Sequence, residues 1–148
     1  MSKKLHTEII VGATAEQVWR VLTDLNAYHL WNPFIVEAKG RAAVGERLSL
    51  RMQPVGGSAM TFTPRVLEAE PGRRLRWLGR MVLPGVLDAD HTFTIEPLAV
   101  GVRLIQRETF TGLLVPVLAR QFDRGTLPAF DLMNHALKER VEHAALAA

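Results

Sequence analysis

Cysteine is absent from this 148-residue chain, which excludes disulfide bonds and thiol chemistry. Serine occurs only at Ser2, Ser49 and Ser58, and none of them stands in a Gly-x-Ser-x-Gly elbow. The histidines His6, His29, His91, His135 and His143 show no His-Glu-x-x-His and no other ligand spacing, so no metal is expected. Dinucleotide and phosphate-loop fingerprints are missing too, so no cofactor is expected; Gly56-Gly57-Ser58 is only a flexible loop. Apolar runs all fall well short of the about 20 residues that span a bilayer, so stable membrane insertion is not expected. Met1-Ser2-Lys3-Lys4 leads directly into a strand-like run with no signal-peptide core, which suggests a cytoplasmic protein.

The chain has enough length for one domain, 1–148, with a substantial core. Hydrophobic residues make up 48% and charged residues 22%, a globular balance. The net charge is +3. Arg47, Arg51, Arg74, Arg76, Arg80, Arg103 and Arg107 alternate with apolar residues, as on a solvated sheet face. A nucleic-acid surface would interleave exposed aromatics with these cations, and none are there, so no nucleic-acid partner is expected.

Periodicity orders the chain as strand, two helices, six strands and a long helix, an α+β pattern. The first strand covers about Lys4–Val11. Thr14-Ala15-Glu16-Gln17 has the form of a capping box, and Val18, Leu22 and Leu25 share one face of the helix it opens. A short second helical turn over Ala27–Trp31 ends at Asn32-Pro33. Tyr28 and His29 are expected on its surface. Strands follow at Ile35–Arg41, Glu46–Gln53, Met60–Glu70 and Arg73–Arg80, with Pro64 disturbing the third of these. The last segment carries Leu118, Phe122, Phe130, Met133, Leu137 and Val141 at helical spacing, and Pro128 should kink or restart it.

The final two strands carry the most informative signal. Asp90–Ile95 sends His91, Phe93 and Ile95 to one face, and Val102–Phe110 sends Val102, Leu104, Gln106, Glu108 and Phe110 to one face. Arg103 and Arg107 take the opposite face, so the first face is the buried one. Hairpin pairing then places His91 opposite Gln106 or Glu108. Burying unpaired polar groups costs roughly 2–7 kcal/mol each. Three polar residues among apolar neighbours therefore imply either mutual pairing or a cavity.

Three passages resemble a known family. They are Ala13-Thr14-Ala15-Glu16-Gln17-Val18-Trp19 running on to Tyr28-His29-Leu30-Trp31-Asn32-Pro33-Phe34; His91–Pro97 with Glu108–Gly112; and Met133-Asn134-His135-Ala136-Leu137-Lys138. Together they resemble the START-like (SRPBCC, Bet v 1-like) superfamily, in its bacterial polyketide cyclase/dehydrase and lipid-transport branch. The resemblance implies a helix-grip fold, with a seven-stranded curved antiparallel sheet around a long C-terminal helix and a hydrophobic pocket between them.

On that fold Trp31, Met60, Phe62, Trp77, Phe93, Phe110, Phe122, Phe130 and Met133 become the expected cavity wall. His91, Gln106 and Glu108 become the groups that orient a ligand. Three functions follow as expectations. The first is binding of a small hydrophobic molecule such as a lipid, quinone or polyketide-like compound, by a monomer or homodimer. The second is a cyclase or dehydratase with His91 and Glu108 as its acid/base pair. The third is a protein-interaction module on the outer sheet face. The strand arginines point outward by parity, so no inward arginine is available to a developing enolate.

Overall fold

In the computed structural model, which describes residues 1–81 and 83–147, the elements follow the expected order. Strand β1 (Ser2–Val11) leads to helix α1 (Ala15–Thr23) and a 3-10 helix (Leu25–Leu30). Strands β2 (Ile35–Lys39), β3 (Ser49–Met52), β4 (Met60–Phe62), β5 (Arg65–Glu70), β6 (Arg74–Met81), β7 (Leu87–Pro97) and β8 (Val102–Thr111) come next. Helix α2 (Val115–Gln121), a wide π turn (Phe122–Thr126) and helix α3 (Leu127–Ala147) close the chain.

All strand pairs are antiparallel, and the sheet grips the terminal helix. Strand order is β1-β8-β7-β6-β5 in one sheet and β2-β3-β4 in the other. The expected seven strands are eight, because Met60–Glu70 breaks into β4 and β5 at Pro64. Proline has no N–H to give a ladder. The Pro64 carbonyl instead accepts from Leu48 N–H at 2.8 Å, and Arg47 bridges Arg65, which joins the two sheets at this bend. The expected strand Glu46–Gln53 is likewise shortened to Ser49–Met52, since its first residues bond across to this bend instead.

The capping box forms: Thr14 Oγ1 accepts from Gln17 N–H at 3.1 Å, and Gln17 Oε1 accepts from Thr14 N–H at 2.9 Å. Val18 and Leu22 are then turned into the core. Tyr28 is not on the surface. It is fully buried and donates its hydroxyl to the Leu22 carbonyl. Burial, and then the nearby Asp24, push its phenol well above the usual range.

At Pro128 the α-helical run restarts: α2 ends at Gln121, and α3 begins at Leu127 after a wide π turn. The proline ring would crowd the carbonyl four residues back. The chain accommodates it by widening the preceding turn, where Leu127 N–H reaches the Phe122 carbonyl. Beyond it, α3 buries Phe130, Met133, Leu137 and Val141, each contributing roughly 1.5–3 kcal/mol through burial. Polar ties fix its height on the sheet. Asn134 donates to Thr7 Oγ1 at 2.9 Å and accepts from Gln106 Nε2 at 2.8 Å. Glu142 accepts from Gly12 N–H at 2.7 Å and Lys138 Nζ at 2.6 Å.

Several arginines of the outer sheet face are paired with carboxylates. Arg76 makes a two-pronged contact with Asp90 at 2.9 and 2.8 Å and reaches Glu68 at 3.2 Å. Arg74 pairs with Glu68, and Arg103 with Glu96 and Glu8. Among the described residues, no helix is long and apolar enough to cross a membrane.

Candidate functional site

The site begins with a step in side-chain volume along three paired strands. Trp77, His91 and Glu108 lie in one row across β6, β7 and β8. The next inward row, two residues along, is Gly79, Ala89 and Phe110. Large side chains thus give way to a bare backbone and a methyl group within one pleat. On the crowded side His91 stacks on Trp77 at 5.3 Å and touches Phe93 and Phe130 edge-on or tilted, and all four are fully buried.

On the sparse side a cavity of about 500 Å³ opens between the sheet and the α2–π segment. That volume suits a small organic ligand. Leu87, Ala89 and Phe110 form its floor and Met52, Met60 and Met81 its flexible apolar sides. Phe62 occupies the space over Gly79, where a Cβ would come within 2.0 Å of its ring. Phe122 stacks face to face on Phe110 at 3.7 Å and forms one end of the cavity. The β3–β4 loop closes over it, because Val55 N–H donates to the Gly125 carbonyl at 3.0 Å. That approach is close: a Cβ at residue 125 would meet Val55 O at 3.1 Å, so the loop would have to yield slightly.

The cavity's one acidic lining residue is Glu108, only 3% exposed. Its Oε2 lies 2.5 Å from His91 Nδ1. Both atoms nevertheless lack an aligned hydrogen bond, so the carboxyl group stands close to the ring but off its N–H axis. His91 itself does not reach the hollow; it backs Glu108 from within the aromatic stack. Among the described residues no group of three or more metal-ligating side chains comes together.

The expected wall divides between two places. Met60, Phe62, Glu108, Phe110 and Phe122 line the cavity. Trp77, Phe93, Phe130 and Met133 are instead fully buried core off the cavity, the last two carried on α3 itself. Gln106 also lies off the cavity, drawn to Asn134 on α3, and Trp31 packs edge-on against Tyr28 at 5.1 Å. Residues unforeseen at the rim are Pro54–Ser58, Arg120, Gln121 and Arg124.

A family model described as polyketide cyclase / dehydrase and lipid transport matches residues 2–142. The chain belongs to that family. Among solved structures, the family fold is shared with the ZhuI aromatase/cyclase of a Streptomyces species, at 17% identity and a TM-score of 0.81, covering 98% of this chain and 96% of that one. A protein from Mesorhizobium loti matches at 20% identity and a TM-score of 0.74, over 95% and 98% of the two chains. Norcoclaurine synthase from Thalictrum flavum matches at 16% identity and 0.74, over 98% and 97%. Identities this low show the fold alone. No curated protein matches the chain. The helix-grip fold is the frame of the hollow, and in this chain Ala89 lies on its floor while Phe62 fills the space over Gly79.

Proposed function

We propose that the protein binds a small hydrophobic molecule in the cavity between β6–β8 and the α2–π segment. The observation that supports this most is the open, mostly apolar hollow of about 500 Å³ beside a core that is otherwise tightly filled. An empty apolar hollow forfeits dispersion contacts, and a ligand restores them. Burial of the ligand would supply about 25 cal/mol per Å². Family membership agrees with a ligand-enclosing role.

The test is displacement of the dye anilinonaphthalene sulfonate by apolar compounds of several classes, with native mass spectrometry of freshly purified protein. Displacement by at least one class, weakened at least tenfold in Ala89→Leu, is expected. No displacement and no co-purified molecule would refute the reading.

Glu108 supports a second reading, a cyclase- or dehydratase-type enzyme. It is a carboxyl group inside an apolar cavity with an imidazole behind it, which suits proton transfer to or from a bound carbonyl compound. In that role Glu108→Gln would keep affinity and lose turnover. Equal turnover in wild type and variant removes Glu108 from the chemistry. The outer sheet face offers less support for an interaction module, since Arg74, Arg76 and Arg103 are already matched by carboxylates.

A further inference from the structure

The cavity has two chemically different ends. Its inner end carries Glu108, almost wholly buried. Glu108 Oε2 faces His91 Nδ1, and among the described residues nothing donates an aligned hydrogen bond to that oxygen. A buried acceptor of this kind costs free energy until a donor reaches it. The outer end carries Arg120 and Arg124, both exposed and both lining the mouth. Asp123, the acid between them in sequence, turns away to Lys3 at 2.9 Å. Among the described residues no carboxylate is paired with either arginine. Between the ends the wall is Met, Phe, Leu and Ala.

Resting on the binding role proposed above, we infer that the ligand is two-ended: a carboxylate held at the mouth by Arg120 and Arg124, an apolar body, and a hydroxyl donating to Glu108 at the inner end. The directions are set by charge and burial. A carboxylate at the inner end would stand beside Glu108 with no cation but the His91 ring, whereas at the mouth it meets two guanidinium groups and keeps part of its hydration. A hydroxyl is small enough to enter an apolar hollow, and its O–H supplies the donor that Glu108 lacks.

Three probes of one chain length separate the ends: ω-hydroxydodecanoate, dodecanoate and the methyl ester of ω-hydroxydodecanoate, titrated calorimetrically into the intact chain. The hydroxy acid should bind tightest. Loss of the hydroxyl should weaken binding about tenfold, the usual scale for a hydrogen bond to a charged group. Loss of the charge should weaken it about threefold, and that gap should shrink with added salt. The double variant Arg120→Gln/Arg124→Gln should abolish the acid–ester gap and leave the hydroxyl gap intact. Glu108→Leu should do the reverse, with a thermal melt confirming that it folds; if it does not fold, the wild-type series and the arginine variant carry the test. Equal binding of all three probes would overturn the two-ended ligand while leaving the cavity role standing. An acid–ester gap that survives the double variant would overturn the role of the arginines. Binding of none of the three overturns the two-ended ligand, and the dye displacement described above then decides the cavity role separately.

Discussion

The two halves of the grip differ although the same strands run through both. In one half Trp77, His91 and Phe93 of the sheet pack with Phe130 of α3 as fully buried rings. In the other, Ala89 lies on the floor of a hollow that Met60, Phe62 and Met81 border, with Phe62 lying over Gly79. Face parity is identical in the two halves. Size is what changes, and it changes at the row holding His91 and Glu108. A cavity in this fold is thus positioned by where small inward residues begin and by where the helix stands away from the sheet. The polar pair sits at that boundary: His91 touches Phe130 of α3, and Glu108 lines the hollow.

Truncation should separate the halves most sharply. Phe130→Ala should cost about 3–5 kcal/mol by leaving a void that α3 cannot close. Met60→Ala, on a side chain 42% exposed at the cavity edge, should cost under about 1 kcal/mol. Urea unfolding measures both, and equal costs would erase the distinction between packed and open halves. Gly79→Ala comes next in size. The added methyl would meet the Phe62 ring at 2.0 Å and drive it into the hollow. Overpacking of this sort should cost roughly 1–3 kcal/mol and reduce dye binding in the same variant. Unchanged dye binding would mean that Phe62 does not shape the cavity.

The smallest effect lies at the far end of α3. The hydrogen bond from Lys138, then that from Gly12 N–H, hold the Glu142 carboxyl below its ordinary 4.5. A lowered folded-state value means stability that is present above 4.5 and lost as pH falls through the folded value. Glu142→Gln should therefore be less stable than wild type near neutrality, and the difference should fade on acidification. A difference that stays constant down to about pH 3 would show that the carboxylate contributes no linked stability.

Much of this architecture is legible in the chain. Element order follows from periodicity, the capping box from Thr14 and Gln17, and the pairing of His91 with Glu108 is one of two options that hairpin parity allows. The buried polar face follows from the opposite parity of Arg103 and Arg107. The location of the hollow does not follow in the same way. Parity assigns a face but not a depth along the strand, so Trp77 and Phe93 qualify for the wall as readily as Phe62 and Phe110. Which of them the helix covers depends on the placement of α3 against the sheet, set by long-range ties such as Gln106–Asn134 and Lys138 to the Ile10 carbonyl. The local clue was the small inward pair Gly79 and Ala89. Arg120, Arg124 and the Pro54–Ser58 loop carry no apolar pattern that would mark them, and they meet at the mouth only because Val55 bonds the turn before Pro128.

The methionines allow the most direct test. Met52, Met60 and Met81 border the cavity, while Met133 is fully buried in the packed half. Methyl-labelled methionine spectra recorded while an apolar ligand is added should show Met52, Met60 and Met81 moving and Met133 holding still. Movement of Met133 as large as theirs, or no movement of any of them at saturating ligand, would contradict a ligand site in the open half of the grip.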